Sequence, residues 1–470
     1  IEDPETHIIY HYDQISIALK KIKSKEPIIE VFTIPIFQPL PSQYIIKAVS
    51  YKFLGAEAEF LLNSHDLILP EEYSAFTKLL PLRPLSVTTL NNSQYQMIYN
   101  FSYFNPVQTQ VFHTMYHTDA NVLMGAPTGS GKTIICELAI LRAFNKKSKS
   151  MVVYIAPMKA LVKERLEDWT QRLGKILHKK ITELTGDVNP DIRSLINSDI
   201  ILTTPEKWDG ISRGWRERSY VQNIDLLIID EVHLLGADRG HILEAIVARL
   251  KMIDHELGRK TRIVALSTAI ANSIDLANWL DVPQNGLFNF DPSVRPVPLE
   301  AHILGFPSKH YCPRMESMNK TVYQSIKNYS PNRPVLIFTS SRRQTRLTAA
   351  SLLTWSASNN TEDQWCHIEQ EQITYILAQI GDENLKSYIP IGIGIHHAGL
   401  AERDRKIVED LFLNNKIQIL IATSTLAWGV NFPAHLVIIK GTEYFDAKTH
   451  SYVDFPITDI LQMMGRAGRP

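Results

Sequence analysis

Residues 125–133, Gly-Ala-Pro-Thr-Gly-Ser-Gly-Lys-Thr, limit what this chain can fold into more than any other stretch. They follow the apolar run 121–124 and open a helical pattern over 133–144. Strand, glycine-bearing turn and helix in that order make a phosphate-binding loop, here with Ala126 at the first glycine position. Gly129 and Gly131 let the backbone turn its N–H groups inward. The helix starting near Lys132 adds the positive end of its dipole. Lys132 is expected to reach the β- and γ-phosphates of ATP, and the Thr133 hydroxyl to bind Mg²⁺. Ala126, Pro127, Thr128 and Ser130 complete the cradle.

Such a loop belongs at the end of a parallel strand, and the sequence supplies the rest of that sheet. Short apolar runs at 151–155, 200–203, 226–229 and 262–266 alternate with helical patterns such as 160–173. Continuous apolar strands between helices predict an α/β domain with its sheet covered on both faces. A proline-rich break at 292–298 is followed by a second alternation, with strands at 335–338, 391–395, 418–421 and 436–440. Upstream, 43–50 and 56–62 read as short strands among prolines, which suggests a piece of a β-sandwich. Pro81-Leu82-Arg83-Pro84 reads as an extended linker. The expected domains are therefore 1–90, 91–295 and 296–470.

The run 226–229 delivers Asp230 and Glu231 at its C-terminal end, where α/β sheets bind ligands. Asp230 is the expected Mg²⁺ partner, and Glu231 is placed to orient or deprotonate a water. A loop and an acid pair alone also fit kinases, GTPases and transporters. The second alternation ends in Gln462-Met463-Met464-Gly465-Arg466-Ala467-Gly468-Arg469. Arg466 and Arg469, three apart on a helix, project on one side. They fit either arginine fingers reaching across a cleft or a solvated basic turn.

With these motifs in order, the chain resembles the superfamily 2 nucleic-acid helicases. Asp230-Glu231-Val232-His233 is similar to their DExH box, which adds His233 to the catalytic set. Residues 156–161, 204–207, 267–269, 423–431 and 462–469 resemble further motifs of that superfamily, although Ser267-Thr268-Ala269 departs from the usual Ser-Ala-Thr. The match is closer to the branch of large helicases with two tandem cassettes. Asn105-Pro106-Val107-Gln108, Thr204-Pro205-Glu206-Lys207-Trp208-Asp209, His396-His397-Ala398-Gly399-Leu400 and the stretch 424–435 carry it. The wording is most similar to the second, C-terminal cassette of the branch members found in a transcription cointegrator complex.

The resemblance implies two RecA-like domains after an immunoglobulin-like piece, with another cassette upstream and winged-helix and helical-bundle domains downstream. It implies ATP-dependent 3′→5′ unwinding of DNA or RNA duplexes by translocation along a single strand. Gln108 is then expected to read the adenine edge, which an amide can do with one donor and one acceptor. Gly429 and Asn431 join the nucleotide site from the second sheet. Pro157, Lys159, Thr204, Pro205, Lys207, Thr423 and Ser424 lie just after strands, where exposed backbone N–H groups bind phosphates without reading sequence. His397 is expected to face the strand. Tyr444 and Phe445, on a predicted hairpin over 444–453, are expected to stack on the last base pair. The implied setting is a multiprotein complex in DNA alkylation repair or ribosome quality control, with the ribosome as a further partner, in nucleus and cytoplasm. Two other readings share the motor residues: an ATPase that remodels a ribonucleoprotein without processive unwinding, and a silent scaffold cassette.

Composition narrows the classes further. Of 470 residues, 44% are hydrophobic and 21% charged, enough for roughly three domains with their own cores. This excludes a disordered, collagenous or disulfide-rich chain. Lys+Arg and Asp+Glu are both 49, so any nucleic-acid contact is local and not a matter of bulk charge. No apolar run approaches the roughly 18 residues of a membrane span. Cys136, Cys312 and Cys366 are far apart and read as reduced thiols of an intracellular protein. The opening Ile1-Glu2-Asp3-Pro4-Glu5 reads as neither a signal peptide nor a natural start.

Overall fold

The computed structural model describes residues 1–17, 22–23, 27–29, 31, 33–34, 41–63, 76–147, 149–236, 240–308, 310–359, 364–424, 426, 432, 434–446 and 449–468. The chain forms two compact units, 1–74 and 75–470.

In the first unit, β1 (Gln43–Val49) and β2 (Glu57–Asn63) pair antiparallel, from Gln43 opposite Asn63 to Val49 opposite Glu57. Glu2 bridges to Ile45 on the other edge of β1. Tyr44 is buried there against the edge of Tyr10. Both expected strands are present, but the facing sheet of a sandwich is not found among the described residues.

The second unit is α/β, with two parallel sheets. The strands of the first are β3 (Val122–Gly125), β4 (Met151–Ile155), β5 (Ile181–Leu184), β6 (Ile200–Thr203), β7 (Ile224–Ile229), β8 (Arg262–Ser267) and β9 (Leu287–Asn289). They lie in the order β5-β6-β4-β7-β8-β3-β9, every pair parallel. Side chains alternate between two cores. Val122, Met124, Val152, Tyr154, Leu226 and Ile228 enter one, and Leu123, Val153, Leu227, Ile229 and Ala265 enter the other. Each fully buried apolar side chain contributes about 1.5–3 kcal/mol, so burial on both faces favours the continuous apolar runs these strands show. β5 and β9 had no sequence signal. β5 carries two polar residues, and β9 is three residues at an edge.

The expected linker, 81–84, is exposed and outside any helix or strand, but it does not divide the two units. Val87 and Leu90 are buried in the first sheet's core, Leu80 N–H donates to Gln110 Oε1 at 2.9 Å, and Thr77 pairs with Phe290 beside β9. Residues 76–90 therefore belong to the larger unit, not to the N-terminal one.

The second sheet holds β10 (Val335–Thr339), β11 (Ile393–His396), β12 (Ile419–Thr423) and β13 (Leu436–Lys440), parallel in the order β11-β12-β10-β13. β14 (Glu443–Asp446) and β15 (Ser451–Asp454) form the expected hairpin before the helix Ile457–Met464. No helix among the described residues is long and apolar enough to cross a membrane. All three cysteines are free thiols.

Candidate nucleotide site and nucleic-acid path

The strand order places the site. β8 lies between β3, which ends in the glycine-bearing loop, and β7, which ends in the acid pair, so Ser267 sits between them. Ala126 N–H donates to the Ser267 carbonyl at 3.0 Å and locks the loop's first residue to the sheet. Gly129 and Gly131 adopt φ of +87° and +84°. Gly131 is required by its left-handed conformation; a β-carbon there would stand 2.3 Å from Gln108 Nε2 and displace that side-chain amide. Lys132 Nζ donates to the Ala126 carbonyl at 2.8 Å, back across the loop. The helix Lys132–Lys146 has no side-chain cap, and the Ser130 hydroxyl is buried without a hydrogen-bond partner. Uncapped helix N–H groups and an orphan hydroxyl inside a glycine cradle fit a phosphate.

Gln108 lies against the phosphate loop. It is buried at the start of the helix Pro106–His117, in a capping box with Asn105. Its Oε1 accepts from Asn105 N–H at 3.0 Å, and its Nε2 donates to the Gly131 carbonyl at 3.4 Å. Asn105 Nδ2 donates to the Ser130 carbonyl at 2.9 Å. Gln108 therefore braces the phosphate loop, and its amide keeps a second lone pair on Oε1 and a second N–H on Nε2 beyond these bonds.

Asp230 and Glu231 occupy different surroundings although they are neighbours. Asp230 accepts from the Tyr154 hydroxyl and, at 3.0 Å, from Glu231 N–H. Burial, then the Glu231 charge, raises its pKa; the Tyr154 hydrogen bond, Arg165 and Lys132 pull the other way. A half-buried carboxylate pair beside a phosphate cradle is a donor set that suits a divalent cation. Glu231 lies in the left-handed region, at φ 53°. Its Oε1 accepts from Gln462 Nε2, across from the second sheet, at 3.2 Å. Its Oε2 is buried and accepts no hydrogen bond. His233 Nδ1 lies 3.4 Å from that oxygen and 3.2 Å from Ser267 Oγ. Burial, reinforced by Lys132, lowers the His233 pKa to about 4, so the ring is neutral at neutral pH. His233 thus spans Glu231 and Ser267 without carrying charge.

The C-terminal turn after Ile457–Met464 closes on the loop. A β-carbon on Gly465 would stand 2.9 Å from Thr128 Cβ. Arg466 is buried, which lowers its pKa, while Glu164 and Glu231 act against this. Its guanidinium therefore lies within electrostatic reach of the acid pair. Gly429, Asn431 and Arg469 lie outside the described residues. Tyr154, Ser267 and Gln462 were not among the expected site residues. Gln462 could have been found, since it opens the motif that holds both arginines.

On the expected nucleic-acid path the residues divide. Lys159, at the uncapped start of the helix Lys159–Trp169, is exposed but paired with Asp187 at 2.7 Å. Pro157, Lys207, Thr423 and Ser424 are half-buried. Thr204 and Pro205 are buried, and they start the helix Pro205–Ser212 without a side-chain cap; Pro205 itself has no N–H, so any backbone donor of this helix start comes from the residues after it. His397 is only 2% exposed; its Nδ1 accepts from Gly399 N–H at 3.2 Å, and burial lowers its pKa. It follows β11, whose residues are all buried, and its Nε2 has no hydrogen-bond partner. On the hairpin, Tyr444 is half-buried against Phe455, with ring centroids 5.0 Å apart. Phe445 is 54% exposed and meets Tyr452, itself 48% exposed, edge-on. The exposed aromatic pair is Phe445 with Tyr452, not Tyr444 with Phe445.

Comparison with known proteins agrees with this architecture. A family profile for the DEAD/DEAH box helicase matches residues 105–277, one for the helicase conserved C-terminal domain matches 317–470, and one for the Sec63 Brl domain matches 1–63. Activating signal cointegrator 1 complex subunit 3 of Homo sapiens is 61% identical over all 470 residues, which are 21% of that protein. DExH-box ATP-dependent RNA helicase DExH14 of Arabidopsis thaliana is 58% identical over the whole chain, 22% of its length. The chain therefore spans about a fifth of these relatives. A DUF1998 helicase, MrfA, solved with DNA and AMPPNP, shares the fold with a TM-score of 0.58 at 18% identity, over 85% of this chain and 49% of that one. With both helicase domains matched in order and 61% identity over the whole chain to a much longer relative, the chain is a DExH-box, ATP-dependent helicase cassette.

Proposed function

We propose that this chain is the working motor of a 3′→5′ helicase, in which ATP binds between the two sheets and its hydrolysis drives steps along one strand. The hydrogen bond from Gln462 to Glu231 carries this reading, because it joins the second sheet's motif to the first sheet's acid pair. Lys132 and the loop N–H groups hold the phosphates. Thr133 and Asp230 would hold Mg²⁺, which when bound would supply charge neutralisation at the phosphates. Glu231 takes the proton of the attacking water on Oε2, the oxygen that accepts no hydrogen bond. His233, kept neutral, fixes that carboxylate against Ser267. Arg466 and Arg469 meet transition-state charge from the second sheet.

Uncapped helix starts at Lys159 and Pro205, with Thr423 and Ser424, grip backbone phosphates, and Phe445 with Tyr452 stacks at the duplex end. RNA and DNA are both substrates on this reading; the plant relative's name supports RNA. The longer protein then serves in a multiprotein complex, as the name of the human relative indicates for that protein, in alkylation repair or stalled-ribosome rescue, in nucleus and cytoplasm.

The test pairs Glu231→Gln with strand displacement. The variant keeps an acceptor for Gln462, so nucleotide binding is expected to persist while turnover falls about 10²–10⁴-fold. Duplexes with only 3′ or only 5′ single-stranded tails then read polarity. Near-normal turnover in the variant removes Glu231's role, and unwinding from the 5′ tail alone removes the direction.

A further inference from the structure

The segment between the two sheets holds an arginine that the chemistry above does not use. Phe290 N–H donates to the Gly125 carbonyl at 2.8 Å, which ties this segment to the strand that carries the phosphate loop. The chain then makes one 3₁₀ turn, Pro292–Val294, begun by Asp291, whose carboxylate accepts from Ser293 N–H at 2.8 Å. Val294 packs on the first sheet's core. Arg295 follows from this fixed base. Its Nη2 donates to the carbonyl of Ala467, in the turn that carries Arg466. Its Nε is buried without a hydrogen-bond partner and lies 3.8 Å from where a β-carbon on Gly129 would stand. Burial lowers its pKa, and no neighbouring charge enters to offset it. Among the described residues no carboxylate makes an ion pair with it.

A buried guanidinium edge with no acceptor is costly, and an anion relieves that cost. The surface opposite this edge is the phosphate loop at Gly129. The same guanidinium touches the finger-bearing turn, so it spans the gap in which the outermost phosphate of a triphosphate would lie. Arginine suits that position: its planar fork offers donors in two fixed directions, which lysine's point charge does not.

Resting on the reading of residues 125–133 as the ATP-binding loop, we propose that Arg295 is a third nucleotide-contacting arginine, which donates from Nε to the terminal phosphate while Nη2 holds the Ala467 turn in place. The linker thereby senses whether the site holds a triphosphate or a diphosphate, and passes that state to both sheets.

The test measures binding of fluorescent ADP and of a fluorescent non-hydrolysable ATP analogue, each with Mg²⁺, to residues 1–470. The unsubstituted chain, R295Q, R295K and K132A are compared, with melting curves for each. A lost hydrogen bond to a charged group corresponds to about 10–100-fold. Both Arg295 variants are expected to lose that much affinity for the ATP analogue, while ADP affinity holds within about twofold. Protection of the 292–298 segment from proteolysis by the analogue should fall in parallel. If R295Q does not fold, R295K decides. Equal weakening for both nucleotides, or none, overturns the proposal, because a purely structural strut does not distinguish them. If the unsubstituted chain shows no binding that K132A abolishes, the phosphate-loop reading falls, and this inference with it.

Discussion

Gly465 offers the sharpest test of how the two sheets meet. It follows the helix Ile457–Met464 with φ −61° and ψ −12°, a conformation open to any residue, so alanine there brings no backbone strain. The added β-carbon would stand 2.9 Å from Thr128 Cβ and 3.0 Å from its Cγ2 and Oγ1. Thr128 is short, and its β-carbon is fixed to the loop backbone, so no rotamer clears the overlap. Gly465→Ala must therefore push the helix end and the phosphate loop apart. Overpacking of this kind costs about 1–3 kcal/mol, which biases against the closed arrangement by about 5- to 150-fold. Neither sheet's own core is touched, so the melting temperature should stay within about 1 °C. The assay is steady-state ATPase with saturating single-stranded RNA and DNA, where kcat is expected to fall by that 5- to 150-fold. Gly468 would be a poor substitute, because its φ of +61° adds strain of its own. Unchanged kcat with unchanged melting would refute the reasoning, since the hydrolysing state would then not need this approach.

Two further outcomes follow from buried cations. Arg262 donates to the carbonyls of Ala120, Met115 and Thr114, closing the helix that carries Gln108; Arg262→Leu should cost about 3 kcal/mol in denaturant unfolding, by leaving buried carbonyls unpaired. Lys440 is buried between Asn319 Oδ1 and Thr348 Oγ1, and burial lowers its pKa to about 8. The unfolded chain then holds the proton more tightly, so stability should rise with pH between about 8 and 10.4; Lys440→Met should abolish that slope, and an unchanged slope would show that Lys440 is not its source.

What the sequence made legible was local. The phosphate loop could be read because its residues are contiguous, and the strands because two-faced burial leaves unbroken apolar runs. The capping role of Gln108 had a signal that was not read: Asn105-Pro106-Val107-Gln108 has capping-box spacing, with the first-turn proline such a start favours. On the hairpin, alternation guarantees that Tyr444 and Phe445 point to opposite faces. Which face is covered depends on Phe455, and that only the fold shows. Lys159 could not be matched to Asp187 in advance, since exposed pairs 28 residues apart leave no pattern. The bond from Gln462 to Glu231 spans 231 residues and two domains, so the motif was visible and its target was not.

That last contact bears on coupling. Glu231 holds a left-handed backbone conformation that costs a non-glycine residue of order 1–3 kcal/mol. Contacts from separate elements surround its carboxylate: Gln462 from the second sheet, and His233, which leans on Ser267 at the end of β8. Ser267 in turn accepts from Ala126 at the start of the phosphate loop. A protonated His233 would add a second positive charge near Lys132; burial removes that conflict by keeping the ring neutral. On the reading proposed above, a water at Oε2 meets a carboxylate aimed by both sheets together. Opening the cleft removes Gln462 and frees one oxygen to turn, so hydrolysis belongs to the closed state without any separate latch.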